Sequence, residues 1–454
     1  MPGATLSRWT MSYFAAACLF LVIGECMLAA GYGYPFAEVG APETLALVHL
    51  VAIGWLGLLM VGALLQFVPV LVAAPLRGGR LAAPALLLII AGLLLLLGGF
   101  GALAGGPPLS PNLLPLGAVV IVAGFVLVAG MLAATLLAAR PLPHPARFVA
   151  AGLLALVATV LIGACFAVLL SGAIESDLLT ALVVHGVPLH AALGLGGWLS
   201  FTAIGVSYRL LPMFMLAPDN VRTTTKVAWW AGTAALGLVA ASVGLAVIEP
   251  SAMTGLLVLA MLLTLGLTVL YGADAVRFYR KRRRKAVELN IRASYAAFAA
   301  LIASVAMFAL PAMRAAAGEG AAALVYLFVF GWLSGLGLAQ LYKIVPFLTW
   351  LECYGPVLGR VPVPRVQDLV SERRARLWFY LYYAAVSAAT FSLFMGSNPS
   401  FRIAALAQLA ATIALIVEFA RARNLSAVAA ASRFPVGVPR PHLFLPPFRH
   451  RSEP

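Results

Sequence analysis

Apolar residues run along this chain in long blocks separated by short polar stretches. The blocks lie near 11–33, 44–72, 82–104, 114–139, 147–172, 182–215, 226–247, 251–275, 292–316, 321–350, 375–396 and 401–421. A helix that crosses a bilayer needs about 20 apolar residues, and every block supplies them. The pattern therefore predicts twelve transmembrane helices and an all-α polytopic membrane protein.

One polar-and-glycine frame recurs inside these blocks. Gly54-Trp55-Leu56 is followed by Gly62, Gln66 and Pro69, which stand 7, 11 and 14 residues after the Trp. Gly197-Trp198-Leu199 is followed by Gly205, Arg209 and Pro212, and Gly331-Trp332-Leu333 by Ala339, Lys343 and Pro346, at the same offsets. The copies fall in the second, sixth and tenth blocks. The chain reads as three pseudo-symmetric groups of four helices, at about 1–140, 141–285 and 286–425. The glycine two turns after the Trp is expected to let a neighbouring helix approach closely. The proline is expected to end or kink each helix, because it lacks an amide donor.

Composition agrees with this class: 63% of residues are hydrophobic and 10% charged, which demands lipid as the solvent. The net charge of +15 does not indicate nucleic acid, because the basic residues sit in short clusters between spans. The largest cluster runs from Arg277 to Lys285. Such clusters mark cytoplasmic loops and attract anionic lipid. Arg8, Arg77, Arg80, Arg140, Arg147, Arg222, Lys226 and the arginines between Arg360 and Arg376 fall on that same side. The alternate loops carry only acidic charges, with Arg314 and Arg402 as exceptions. A multi-pass protein of the inner membrane with both termini cytoplasmic is expected. No cleavable leader is expected, since the first apolar run is long enough to span. Cys18, Cys26, Cys165 and Cys353 lack a metal-site spacing and read as packing residues. The stretch from Cys353 to Arg374 and the Pro/Arg-rich tail, 426–454, read as cytoplasmic connections.

Twelve helices in three arcs of four, with both termini inside, resemble subunit I of the heme–copper oxidase superfamily. His49 stands near the outer end of the second helix, where that family places an axial ligand of its low-spin heme. The segment from Gly62 through Gln66 to Pro69 is similar to the end of the family's helix two. His185 or His190 corresponds, on this resemblance, to the family's copper-ligand histidine on helix six. The resemblance covers nearly the whole chain as topology. The residues depart from it decisively: the span 321–350 has no histidine where the family has two heme ligands, and the span 226–247 has none where it has a copper-binding pair. His144, His442 and His450 fall on cytoplasmic segments. Three histidines cannot build a site that needs six, so dioxygen reduction is not expected. The chain is also similar in topology and class to the NnrS family, which is linked to nitric-oxide stress and heme.

An ionisable side chain inside a membrane is costly and by default faces the bundle interior or a water path. His49 and His190 are candidate ligands of heme or copper, with His185 as a third candidate metal ligand through neutral imidazole nitrogens. The bland alternative for each is a histidine hydrogen-bonded to a neighbouring helix or to interfacial water. Pro188 is expected to start the helix that carries His190, leaving His185 in the lead-in. Glu25, in the middle of the first span, either carries protons or hydrogen-bonds a neighbouring helix. Gln66, Arg209 and Lys343 share one repeat position and are expected to form a polar ring at the inner face. There Arg209 and Lys343 would snorkel or bind an anionic group, a lipid phosphate or a heme propionate. The combined reading is an oxidase-like membrane protein holding heme or copper, with a role in respiratory-complex assembly, sensing, or nitric-oxide and copper stress. Its partners would be lipid and respiratory-chain or assembly proteins. A quinol-linked oxidoreductase subunit and a transporter remain the alternatives.

Overall fold

The computed structural model describes residues 9–106, 110, 112–172, 174–219, 221–310, 319–434, 438 and 440–442. The expectations placed on Arg8, Arg314, His450 and the tail beyond 442 lie outside them. Twelve helices have the length and composition to cross a membrane, and the described residues form no strand. They are α1 (Thr10–Ala30), α2 (Pro42–Val72), α3 (Gly79–Leu103), α4 (Leu113–Ala138), α5 (His144–Leu170), α6 (Asp177–Met215), α7 (Thr223–Ala246), α8 (Met253–Arg280), α9 (Leu289–Ala309), α10 (Gly320–Val357), α11 (Glu372–Phe394) and α12 (Asn398–Arg423).

Helix α6 starts earlier than the apolar run suggested. Ser176 accepts a bond from the Leu179 amide at 3.5 Å, and Asp177 occupies the first turn. That is a capped start with an acidic residue at the positive end of the helix dipole. Pro188 therefore lies inside α6 rather than at its beginning, and His185 and His190 both sit on the body of the helix.

Every Gly-Trp-Leu copy falls in a π-helical stretch: Leu50–Gly57 in α2, Ala192–Phe201 in α6 and Leu327–Ser334 in α10. Such stretches are rare and carry an extra residue per turn, which rotates everything beyond them relative to a plain α-helix. The glycine before each Trp faces a neighbouring helix. A Cβ on Gly54 would stand 2.7 Å from the Phe20 ring of α1; one on Gly197 would stand 2.6 Å from Ala155 of α5; one on Gly331 would stand 2.9 Å from Ala300 of α9. A side chain there would push the helices apart. Gly62 and Gly205 face Tyr13 and Phe148 on the same two partners, at 2.8 and 2.3 Å. The three Trp side chains are buried.

The prolines behave differently from expectation. Pro69 and Pro212 lie inside their helices, which run three residues further and stop at Ala73 and Leu216, both left-handed at φ 50° and 52°. In each case the chain turns back onto the proline carbonyl, accepted from Ala74 at 3.1 Å and from Ala217 at 2.9 Å. Helix α10 instead continues well past Pro346. A carbonyl one turn before a proline loses its donor, but the helix can carry on where packing holds it. Here Trp350 donates to the Pro364 carbonyl at 2.6 Å, and Tyr354 to the Arg433 carbonyl at 2.9 Å. Cys353, Tyr354, Leu369, Leu425 and Val428 form a small core of their own. The stretch after Cys353 and the start of the tail are thus a packed cap rather than loose connections. Of the cysteines, Cys18 and Cys353 are buried and Cys26 is exposed, so packing does not account for Cys26.

The up-and-down order of the helices places the arginine-bearing turns at one end, called here the basic end. The amides of Arg283 and Arg284 reach the carbonyls of Leu216 and Met215 there, tying the turn after α8 to the end of α6. His49 and His190 lie toward the opposite end.

Candidate functional site

Toward the end remote from the arginines, α2 and α6 bring His49 and His190 together, with ring centroids 6.4 Å apart and planes tilted by 32°. Phe100 packs on His49 at 5.2 Å and Phe166 on His190 at 5.5 Å. His49 Nδ1 lies 2.7 Å from the Leu45 carbonyl oxygen. A carbonyl can only accept, so Nδ1 carries the hydrogen and Nε2 keeps the lone pair. His190 Nδ1 is buried without a partner, and the ring packs close to Gly163 of α5. His49 therefore has one nitrogen oriented by the backbone, the arrangement that fixes an imidazole for metal ligation.

His185 stands five residues before His190, about 140° round an α-helix, and does not share its face. Among the described residues no third His, Cys, Asp or Glu completes a metal-holding group. Two imidazoles alone could serve only a group that takes two nitrogens, such as a heme iron or a two-coordinate copper ion.

Glu25 is 1% exposed. Its Oε1 accepts from Gln408 Nε2 at 2.7 Å and Thr412 Oγ1 at 3.1 Å, both on α12, and its Oε2 is buried without a partner. Gln408 Oε1 in turn accepts from Tyr326 at 2.5 Å. Both of the bonding and proton-carrying roles expected of Glu25 are compatible with this geometry. Gln408 and Thr412, four residues apart on one face, were signalled in the sequence only as polar residues inside an apolar run.

The ring of Gln66, Arg209 and Lys343 does not form. Arg209 pairs with Asp219 at 2.7 Å in the open, Lys343 pairs with Glu288 at 2.6 Å, and Gln66 is buried. Each cation has its own carboxylate at the basic end, away from the histidines.

Two features escaped sequence reading. Asp274 on α8 is 1% exposed and receives four donors: Tyr208 at 3.1 Å, Arg222 at 3.2 Å, Thr224 at 2.8 Å and Thr225 at 3.1 Å. The run of three threonines after Arg222 was its only signal. The second feature links the motif helices. Trp55 Nε1 donates to Ser334 Oγ at 2.9 Å, and Trp332 Nε1 to Ser200 Oγ at 3.0 Å. Each serine stands two residues after a motif Trp. The third equivalent position is Gly57, and Trp198 Nε1 is buried without a partner.

No protein-family model matches this sequence, and no curated protein matches it.

Proposed function

We propose that this chain is an oxidase-like protein of the inner membrane, with both termini cytoplasmic, that holds a single heme iron or copper ion between His49 and His190. Its role would be respiratory-complex assembly or sensing rather than turnover. The observation that carries this reading is the pair itself. Two imidazoles from different repeats, each backed by a phenyl ring and one of them oriented by the Leu45 carbonyl, meet inside a bilayer-sized bundle. The arginine-rich turns support a cytoplasmic basic end, which puts the pair on the outer side. When bound, such a metal supplies one-electron chemistry or a site for a small ligand such as nitric oxide. The protein's residues fix the nitrogens and exclude water.

The test is an absorption spectrum, oxidised and reduced, with metal analysis, on protein purified in detergent after expression with ample heme and copper. A Soret band that moves on reduction identifies heme; near-stoichiometric copper without it identifies the ion. Either signal should vanish in His49→Ala and in His190→Ala. A colourless, metal-free wild type, or variants that keep the full signal, would sink the proposal.

The partnerless oxygen of Glu25 favours a second reading, proton-coupled transport, in which Glu25 is the proton carrier. Proton flux into vesicles that is lost in Glu25→Gln would support it.

A further inference from the structure

Between the three motif helices the bundle leaves a partly open chamber of about 90 Å³. The same four offsets line it in every copy: the residues one, five, eight and twelve positions after the Trp. Those offsets are spaced by four, three and four, which is one face of an α-helix. The outer layer is Leu56, Leu199 and Leu333, and the layer toward the basic end is Phe67, Leu210 and Ile344. The layers between them are mixed, with Met60, Val206 and Gln340 beside three small residues. Ala203 and Gly337 stand five residues after their Trp, and Ala63 stands eight after its own. Large residues stand at both ends, and the small side chains of Ala63 and Ala203 leave space in the middle.

Its wall is apolar with two polar groups. Ser207 Oγ is already bonded, to the Ile204 carbonyl and the Tyr271 hydroxyl, each at 2.7 Å. Gln340 spends its Nε2 on Ser294 at 2.8 Å, and its Oε1 is buried without a partner. A buried acceptor left without a donor is costly, and apolar cavities of this order of size take up apolar guests rather than water.

We propose that this chamber is a binding site for a small, largely apolar molecule carrying one hydroxyl, with the body against the leucines and the hydroxyl donated to Gln340 Oε1. The size and the single acceptor set the class: a phenol or a short alcohol, neither an ion nor a long lipid chain. The site lies away from His49 and His190 and needs no metal.

The experiment is thermal unfolding of the full chain in detergent against graded phenol and benzene. A ligand that binds only the folded state raises the midpoint in a saturable way. Phenol should bind about tenfold more tightly than benzene, the size of one net hydrogen bond. Gln340→Leu should erase that preference while keeping benzene binding. Ala203→Phe, which fills the chamber, should abolish both shifts. If Ala203→Phe fails to fold, xenon-pressurised crystals of the wild type should show xenon beside Ala203 and Gly337. The proposal is overturned if neither probe gives a saturable shift, if the shift persists in the filled variant, or if no xenon enters. None of these readouts involves the histidine pair, so failure here leaves the metal reading untouched.

Discussion

The indole N–H of Trp55 donates to Ser334 Oγ at 2.9 Å, joining residues 279 positions apart in the chain. The bond is buried on both sides, since neither residue is exposed. Removing the acceptor would strand a buried donor, which costs about 1–3 kcal/mol. Ser334→Ala and Ser200→Ala should each lower the unfolding midpoint by a corresponding amount in detergent. Wild-type midpoints in both would mean that the indole bonds contribute nothing.

Ala73 and Leu216 end two equivalent helices in the left-handed region, where a Cβ is crowded by the following carbonyl at a cost of about 1–2 kcal/mol. Glycine there removes the crowding and loosens the unfolded chain. Leu216 is more than half exposed, so little packing is lost. Ala73→Gly and Leu216→Gly should stabilise by up to about 1 kcal/mol, and a fall in both midpoints would contradict this.

Glu25 and Asp274 are equally buried but differently partnered. Asp274 faces Arg222 and three hydroxyls, whereas among the described residues Glu25 has no cation and one oxygen unused. An uncompensated carboxylate is far costlier to bury than a neutral acid. Hydrophobic carbodiimides react with carboxylic acids in apolar surroundings. Labelling followed by peptide mass spectrometry should therefore mark Glu25 and spare Asp274. Labelling of Asp274 alone would reverse the assignment.

Removing the Asp274 carboxyl leaves Arg222 and the Tyr208, Thr224 and Thr225 hydroxyls without their shared acceptor. Arg222 is partly exposed and regains water, so the cost falls on the buried hydroxyls left without an acceptor, about 1–3 kcal/mol. Asp274→Ala should fall near the top of the destabilising range, and Asp274→Asn, which keeps one oxygen, should fall between it and wild type. Equal midpoints for Asp274→Ala and wild type would show the network to be slack.

Span number and the threefold recurrence of Gly-Trp-Leu were legible in the sequence, because run length and spacing are properties of the chain alone. The π-helical turns were not, since hydropathy is the same for either helix type. The serine acceptors of Trp55 and Trp332 were hidden because each partner lies on another repeat. The start of α6 was misplaced because Glu175 and Asp177 read as loop charges, although Ser176 followed by an acidic residue is a helix-start signal. The histidine pair was legible as two residues at one depth. Its geometry depends on an early start to α6 that hydropathy did not show. The polar ring failed for a simpler reason: one residue is 100° of helix, and the neighbouring offset, carrying Phe67, Leu210 and Ile344, faces the axis instead.

Two of the three junctions between motif helices are latched by an indole and a serine. At the third, between the first and second repeats, the equivalent serine position is Gly57 and Trp198 finds no acceptor. His49 and His190 meet across that same junction. That junction lacks the indole–serine tie of the other two, and a metal bridging the two imidazoles would act as its clasp. Cofactor loading and the mechanical integrity of the bundle would be one and the same event.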